Sequence, residues 1–274
     1  ISQTKKIQLE LKTINYKLDL KELSLFLQTK QPKINYNNLV IPSQSIKVYI
    51  DFLSLIKTDL KIKKINLILD ELDVTQLNKF SRFIKPSNFK SFLNNKIKSG
   101  KLISEIEIFL NPKGILNSYI IKGDVKNLEA ELLDSINLSK VNLSFIADKE
   151  DILIKNIIGT IDKIEISSGD IKLNLENGVK LSSNFNSNIN FNDKDLNKYS
   201  KLLGNFKNLN QIKLFKGNFN NNISLVFDNT YKLVKYNYNS SGNIEKIKFE
   251  LSHPIKNNFV PEEIKEIYFS DIKI

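Results

Sequence analysis

Apolar and polar residues alternate with a period of two over much of the chain. The pattern is plain at Ile7-Leu9-Leu11, Ile46-Val48-Ile50-Phe52, Ile65-Leu67-Leu69, Ile106-Ile108-Leu110 and Val141-Leu143-Phe145. It continues at Ile152-Ile154, Ile164-Ile166, Ile171-Leu173-Leu175, Ile223-Leu225-Phe227 and Ile247-Phe249-Leu251. Successive side chains of a strand point to opposite faces, so each run predicts a strand with one dry side and one wet side. Strands of a parallel sheet, covered on both faces, would be continuously apolar instead. The expected fold class is therefore mostly β, a β-rich α+β chain of antiparallel meanders. Gly100, Gly123, Gly169, Gly178, Gly217 and Gly242 fall at the predicted strand ends, where turns call for glycine.

Two stretches break the alternation. Asp73-Val74-Thr75-Gln76 offers a helix N-cap, and Leu77, Phe80 and Ile84 follow on one helical stripe. Pro86 interrupts that stripe, after which Phe89, Phe92, Leu93 and Ile97 resume an apolar face up to Gly100. A second amphipathic helix is predicted from Asp193 to about Phe206, with Leu196, Tyr199, Leu203 and Phe206 on one side.

These helices open an internal match. Leu77-Asn78-Lys79-Phe80-Ser81 corresponds to Leu196-Asn197-Lys198-Tyr199-Ser200, and the stretch from Gly123 to Leu132 corresponds to that from Gly242 to Leu251. The match predicts residues 1–76 as the strand-rich end of one repeat unit, 77–195 as a helix-then-strands unit and 196–274 as a second, truncated copy. Stacked units of this kind extend one sheet rather than closing separate cores. The chain begins at Ile1 and contains no Met, which reads as a fragment of a longer protein.

Composition adds little chemistry. The net charge is +11, but Arg82 is the only arginine, and a wealth of Lys, Asn and Ile is what an AT-rich genome encodes. The charge is therefore weighed below composition bias: no specific nucleic-acid partner is expected, and a lysine-rich nucleic-acid binder stands only as a third, less favoured reading. Cys is absent, so neither a disulfide framework nor a thiolate metal site can form. The single histidine, His253 in Ser252-His253-Pro254 after a strand, reads as a surface or turn residue rather than a catalytic or metal-binding one. Asp70, Glu71 and Asp73 precede the first predicted helix, and Glu262, Glu263 and Glu266 look like the opening turn of a short helix after Pro261. No phosphate-binding glycine motif occurs, no cofactor is expected, and an enzyme is the least supported class.

The apolar rows themselves remain as the candidate functional surface. A one-sided sheet must be covered by helices, a second sheet or a ligand. One expectation is an elongated, twisted antiparallel sheet curled into a groove, with about two interspersed helical segments. The predicted groove residues are Ile65, Leu67, Leu69, Ile106, Ile108, Leu110, Val141, Leu143, Phe145, Ile164, Ile166, Ile171, Leu173 and Leu175. The alternative is a closed β-sandwich serving as a structural or adhesin-like interaction module.

The glycine-punctuated ladder from Ile157 to Leu173 resembles the AsmA-like superfamily of bacterial envelope proteins, nearest its YhdP and TamB branches. So do Asn111-Pro112-Lys113-Gly114 leading into the stretch Tyr119 to Val125, and the helices placed before Gly100 and Gly217. The resemblance rests on pattern over most of the chain, with no invariant signature. It implies a bridge-like lipid-transfer protein with repeating β-groove units, carrying phospholipid acyl chains between inner and outer membranes. It implies a periplasmic location, an inner-membrane anchor outside this chain in a Gram-negative bacterium, and outer-membrane or periplasmic proteins as further partners. It carries over no catalytic residues.

Overall fold

The computed structural model describes residues 7–19, 24–36, 39–51, 54, 61–76, 95–133, 136–176, 178–203, 211–229, 232–257 and 259–274. The early strands are short: β1 Ile7–Glu10, β2 Asn15–Asp19, β3 Ser24–Lys30, β4 Lys33–Tyr36, β5 Leu39–Ile41, β6 Ser43–Asp51, β7 Ile62–Leu69 and β8 Leu72–Asp73. Longer strands follow: β9 Ile97–Leu110, β10 Leu116–Leu133, β11 Ile136–Ala147, β12 Asp151–Ile161, β13 Ile164–Asn174 and β14 Val179–Asn192. After α1 (Asp193–Leu203) come β15 Ile212–Phe227, β16 Leu233–Asn257 and β17 Val260–Lys273.

Fourteen strands form one sheet that does not close into a barrel. Its order is β17-β16-β15-β14-β13-β12-β11-β10-β9-β7-β6-β3-β2, with β8 added beside β9, and β1-β4-β5 make a separate small sheet. The fold is mostly β, built from antiparallel neighbours, as the alternation predicts. The chain divides into two compact units, Ile1–Lys155 with Leu173–Glu176, and Asn156–Lys172 with Asn177–Ile274.

In the first unit, β-bulges give the sheet its curl. The register slips between Val125 and Leu128, and an opposite slip in β11 restores it between Val141 and Leu138. Asn127 and Lys140 occupy the left-handed region (φ 50° and 53°) at these slips. The Asn142 Oδ1 accepts a hydrogen bond from the Asn127 N–H at 3.0 Å. An extra residue bends its strand and increases the local twist, and two on adjacent strands curve the sheet.

In the second unit, α1 starts at a reciprocal cap. The Asn192 N–H donates to Asp195 Oδ2 (3.1 Å) and the Asp195 N–H donates to Asn192 Oδ1 (3.2 Å). Leu196 is buried, and Tyr199 stacks on Phe191 with ring centroids 4.7 Å apart. Lys198 and Tyr199 both donate to Asp162 Oδ2, while Lys163 pairs with Asp195, so the hairpin turn at 162–163 clasps the helix.

Burial pushes the Asp195 carboxyl up, but the Lys163 ammonium and the Asn192 N–H outweigh it and hold it below the usual range. Its folded pKa is thus depressed, so its stabilisation is present above about pH 4 and lost as pH falls further. Asp195→Asn is expected to unfold at lower urea than the native chain at pH 7. The gap should narrow by pH 3; a gap that does not change with pH would refute the assignment.

Several expectations need correction. Gly100, Gly123, Gly169, Gly217 and Gly242 lie inside strands, not at their ends. The reason is close approach: a Cβ at Gly123 would stand 2.5 Å from the Ile103 carbonyl oxygen and 2.8 Å from the Phe145 ring. Ile97 to Gly100 belong to β9, with Ile97 paired to Ala130, so the first predicted helix does not reach them. Its earlier part, residues 77–94, lies outside the described residues, as do Gly204 to Phe206 at the end of the second. Glu262, Glu263 and Glu266 sit in β17, where Ile264, Ile267 and Phe269 pair with Ile255, Phe249 and Ile247. Tertiary pairing overrides the local helical signal there. His253 is on the surface as expected, but within β16 rather than in a turn.

Candidate functional site

Residues directly paired across antiparallel strands share a face, so the registers trace the apolar rows. In the first unit one row runs Thr29, Ile46, Leu67, Ile106, Ile121, Ala147. The next runs Leu27, Val48, Ile65, Ile108, Tyr119. On the other side of the first lie Ser104, Gly123 and Phe145, then Leu102, Val125 and Leu143, then Leu128 with Val141. Leu69 and Leu110 continue this face at two-residue spacing, paired with Ser43 and Leu116. The structure thus brings nine predicted groove residues, Ile65, Leu67, Leu69, Ile106, Ile108, Leu110, Val141, Leu143 and Phe145, onto one face. Val141 is buried and the other eight are half-buried.

The opposite face is mixed: Asn66 is buried there and Ile68, Phe109 and Ile120 are half-buried among charges and hydroxyls. Glu107 pairs with Lys64 (3.9 Å) and Lys122 (3.5 Å), and the Ser144 hydroxyl donates to Asp124 at 2.6 Å. β6 likewise buries residues on both faces, Ile46 and Ile50 on one and Ser45 and Tyr49 on the other.

One end of the apolar face is roofed by the protein itself. Leu9 of β1, with Leu11 and Ile14 after it, stands over Leu27, Gln28, Thr29, Ile46 and Val48 and leaves a hollow of about 70 Å³ between them. Sequence reasoning missed both the roof and the hollow. Alternation marks which residues of β1 are apolar, but not what they lie against.

In the second unit the register of β14 and β15 places Val179, Leu181, Phe185, Ile189 and Phe191 with Phe227, Leu225, Ile223, Phe219 and Phe215 on one face. Tyr238, Tyr236 and Ile247 extend it through β16, and both tyrosines are more than half exposed. Gly169 stands between Ile157 and Phe185, so Ile171, two residues on, continues the same face. Ile164 and Ile166 precede a change of phase. The Ser167 hydroxyl donates to the Asn186 carbonyl and the Asn186 amide donates to the Ser168 hydroxyl, so two residues of β13 stand opposite one of β14. The polar run Ser167-Ser168 is therefore a bulge within one strand, not a turn. Leu173, two residues beyond Ile171, and Leu175 belong to the first unit, where the Leu175 N–H donates to the Glu150 carbonyl and the side chain is exposed.

A polar island interrupts the second unit's apolar face. Asn221 is buried, its amide donating to the Ser187 hydroxyl (2.9 Å) and its carbonyl oxygen accepting from Tyr238 and Ser240 (3.0 Å each). Asn221 differs from its neighbours, half-buried Asn220 and exposed Asn222, only in the parity that turns it to the inner face. On the outer face the amides of Asn184, Asn186, Asn220 and Asn222 bond to one another across β14 and β15.

Among the described residues no group of three or more His, Cys, Asp or Glu gathers as metal ligands would, and no helix is long and apolar enough to cross a membrane. Comparison with known proteins finds no matching family model, no similar curated protein and no similar solved structure.

Proposed function

We propose that the chain is a non-enzymatic segment of a bacterial envelope protein whose apolar sheet face binds or conducts phospholipid acyl chains. The observation that carries this reading is the nine-residue apolar face of the first unit, where eight side chains are only half-buried. A surface that is continuous, apolar and poor in directional chemistry suits hydrocarbon, because burial of acyl chains scales with area and demands no particular polar partner. In this reading the unit belongs to an AsmA-like, periplasmic lipid bridge anchored to the inner membrane by a segment outside this chain. Repeating helix-then-strand units would lengthen the groove.

The test is native mass spectrometry and lipid extraction on the chain purified without detergent. The unmutated chain is expected to carry phospholipid or to take it up from vesicles. Ile65→Asp with Leu143→Asp should reduce bound lipid more than tenfold, since a carboxylate against hydrocarbon is strongly disfavoured. Circular dichroism checks that the sheet survives, and the serine pair Ile65→Ser with Leu143→Ser gives a milder version. An unmutated chain that neither carries nor acquires lipid overturns the reading.

A further inference from the structure

The rows of the first unit's apolar face differ at their two ends. Toward β2 they reach β3, where Leu27 and Thr29 lie under the roof of Leu9, Leu11 and Ile14. The hollow there presents no polar surface, and even Gln28 and Thr29 turn only carbon toward it. Ile14 precedes Asn15, the partner of Gln28, so it bounds the hollow on the β2 side. In the other direction the row Leu27, Val48, Ile65, Ile108 meets its first polar group at the half-buried Tyr119 of β10.

A wholly apolar hollow stays dry, because a buried water needs about two to four polar partners. A head group is strongly disfavoured there for the same reason. Hydrocarbon has no such requirement, and its burial is favoured by area alone. The size selects a chain end. An apolar cavity of about 150 Å³ takes up benzene, with its six carbons, so a hollow of about 70 Å³ admits roughly three. The distances agree with this. From β3 through β6, β7 and β9 to β10 the row crosses four strand intervals, about 19 Å at about 4.8 Å each. Half of a bilayer's hydrocarbon core is about 15 Å, the reach of one acyl chain. A chain that ends in the hollow therefore runs along the apolar row and begins near Tyr119.

We propose that the hollow receives the methyl end of an acyl chain, so that lipid lies on this face with its tail toward β3 and its ester and head group toward Tyr119. The proposal rests on the lipid-groove reading and gives that groove a direction. The roof is an end stop for the tail, and Tyr119 marks where hydrocarbon gives way to polar contacts.

The chain contains no tryptophan, so a single introduced one reports position. Leu11→Trp places it in the roof, at a residue 40% exposed, and Tyr119→Trp places it at the far end of the row. Each variant is loaded with phosphatidylcholine brominated either at the methyl end of its chains or beside the ester, and quenching of the tryptophan by bromine is measured. Methyl-end bromine is expected to quench the Leu11→Trp variant several-fold more than ester-side bromine, and the order should reverse in Tyr119→Trp. The unmutated chain gives an independent reading with lysophosphatidylcholines of increasing length. Affinity should rise by up to about fourfold per methylene and level off once the tail fills the hollow. Val48→Phe, which fills the hollow, should bring that limit about three methylenes earlier. Equal quenching from both positions, the reverse order, or a limit that Val48→Phe leaves unmoved overturns the end stop and its direction and leaves the groove standing. A chain that binds none of these lipids overturns the groove reading and the end stop together.

Discussion

Gly242→Ala is expected to destabilise the fold by about 3 kcal/mol, the upper end of what overpacking usually costs. A Cβ there would stand 2.1 Å from the Asn218 carbonyl oxygen and 2.9 Å from the Phe219 Cα. Both are backbone atoms of β15, and the pairs Asn218–Asn243 and Phe219–Gly242 hold that backbone in the ladder. A crowded side chain can rotate away, but a paired carbonyl cannot, so the two strands would have to part. The comparison is Gly114→Ala, where φ is +74° but no heavy atom lies within 4 Å of the added carbon. Only conformational strain applies there, about 1 kcal/mol. Urea denaturation of both variants gives the difference directly. If Gly242→Ala unfolds no earlier than Gly114→Ala, β15 and β16 do not approach as closely as described.

Asn221→Ala should cost about 2–3 kcal/mol, and the loss has an identifiable source. Removing the amide strands the Ser187 hydroxyl, itself only 3% exposed, and takes the shared acceptor from Tyr238 and Ser240. A buried polar group left without its partner costs about 1–3 kcal/mol, whereas replacing both partners by apolar groups can be nearly neutral. Tyr238 is more than half exposed and can turn to water, so most of the penalty should come from Ser187. Asn221→Leu with Ser187→Ala is therefore expected to recover most of the loss. Thermal unfolding of the two single variants and the double variant forms a cycle, and additive single-site effects would show that the island is not a network.

Much of this architecture was legible because the two-residue period survives any uncertainty about strand ends. The runs around Ile46, Ile65, Ile106, Val141, Ile152 and Ile247 all lie in strands, and nine groove positions fall on one face because parity alone decides faces. β14 shows what propensity hides. Phe185, Ile189 and Phe191 alternate there with asparagines, a residue strands usually avoid. The amides are accommodated because they bond to amides on β15, a partner that no reading of β14 by itself could supply.

The glycines failed as strand boundaries for a related reason. Turns and close approaches use the same residue, and only the neighbour across the sheet separates them: Phe145 for Gly123, Asn243 for Gly217. The acidic cluster at Glu262 resembled a helix start because that signal spans one turn, while the pairing that overrides it comes from β16. At the candidate site, alternation identified the apolar face but not the hollow at its end, which depends on Leu9, Leu11 and Ile14 standing above it and so belongs to tertiary structure.

From β9 to β17 the order of strands in the sheet is their order along the chain. That arrangement bears on how such a molecule comes into being. Large β folds usually fold slowly because distant segments must find each other before any contact rewards them. Here each strand needs only the one made just before it, and the loop to be closed stays short. A ribosome releasing the chain from its N-terminal end would present every new strand with a waiting edge. The sheet can then lengthen like knitting, one row at a time.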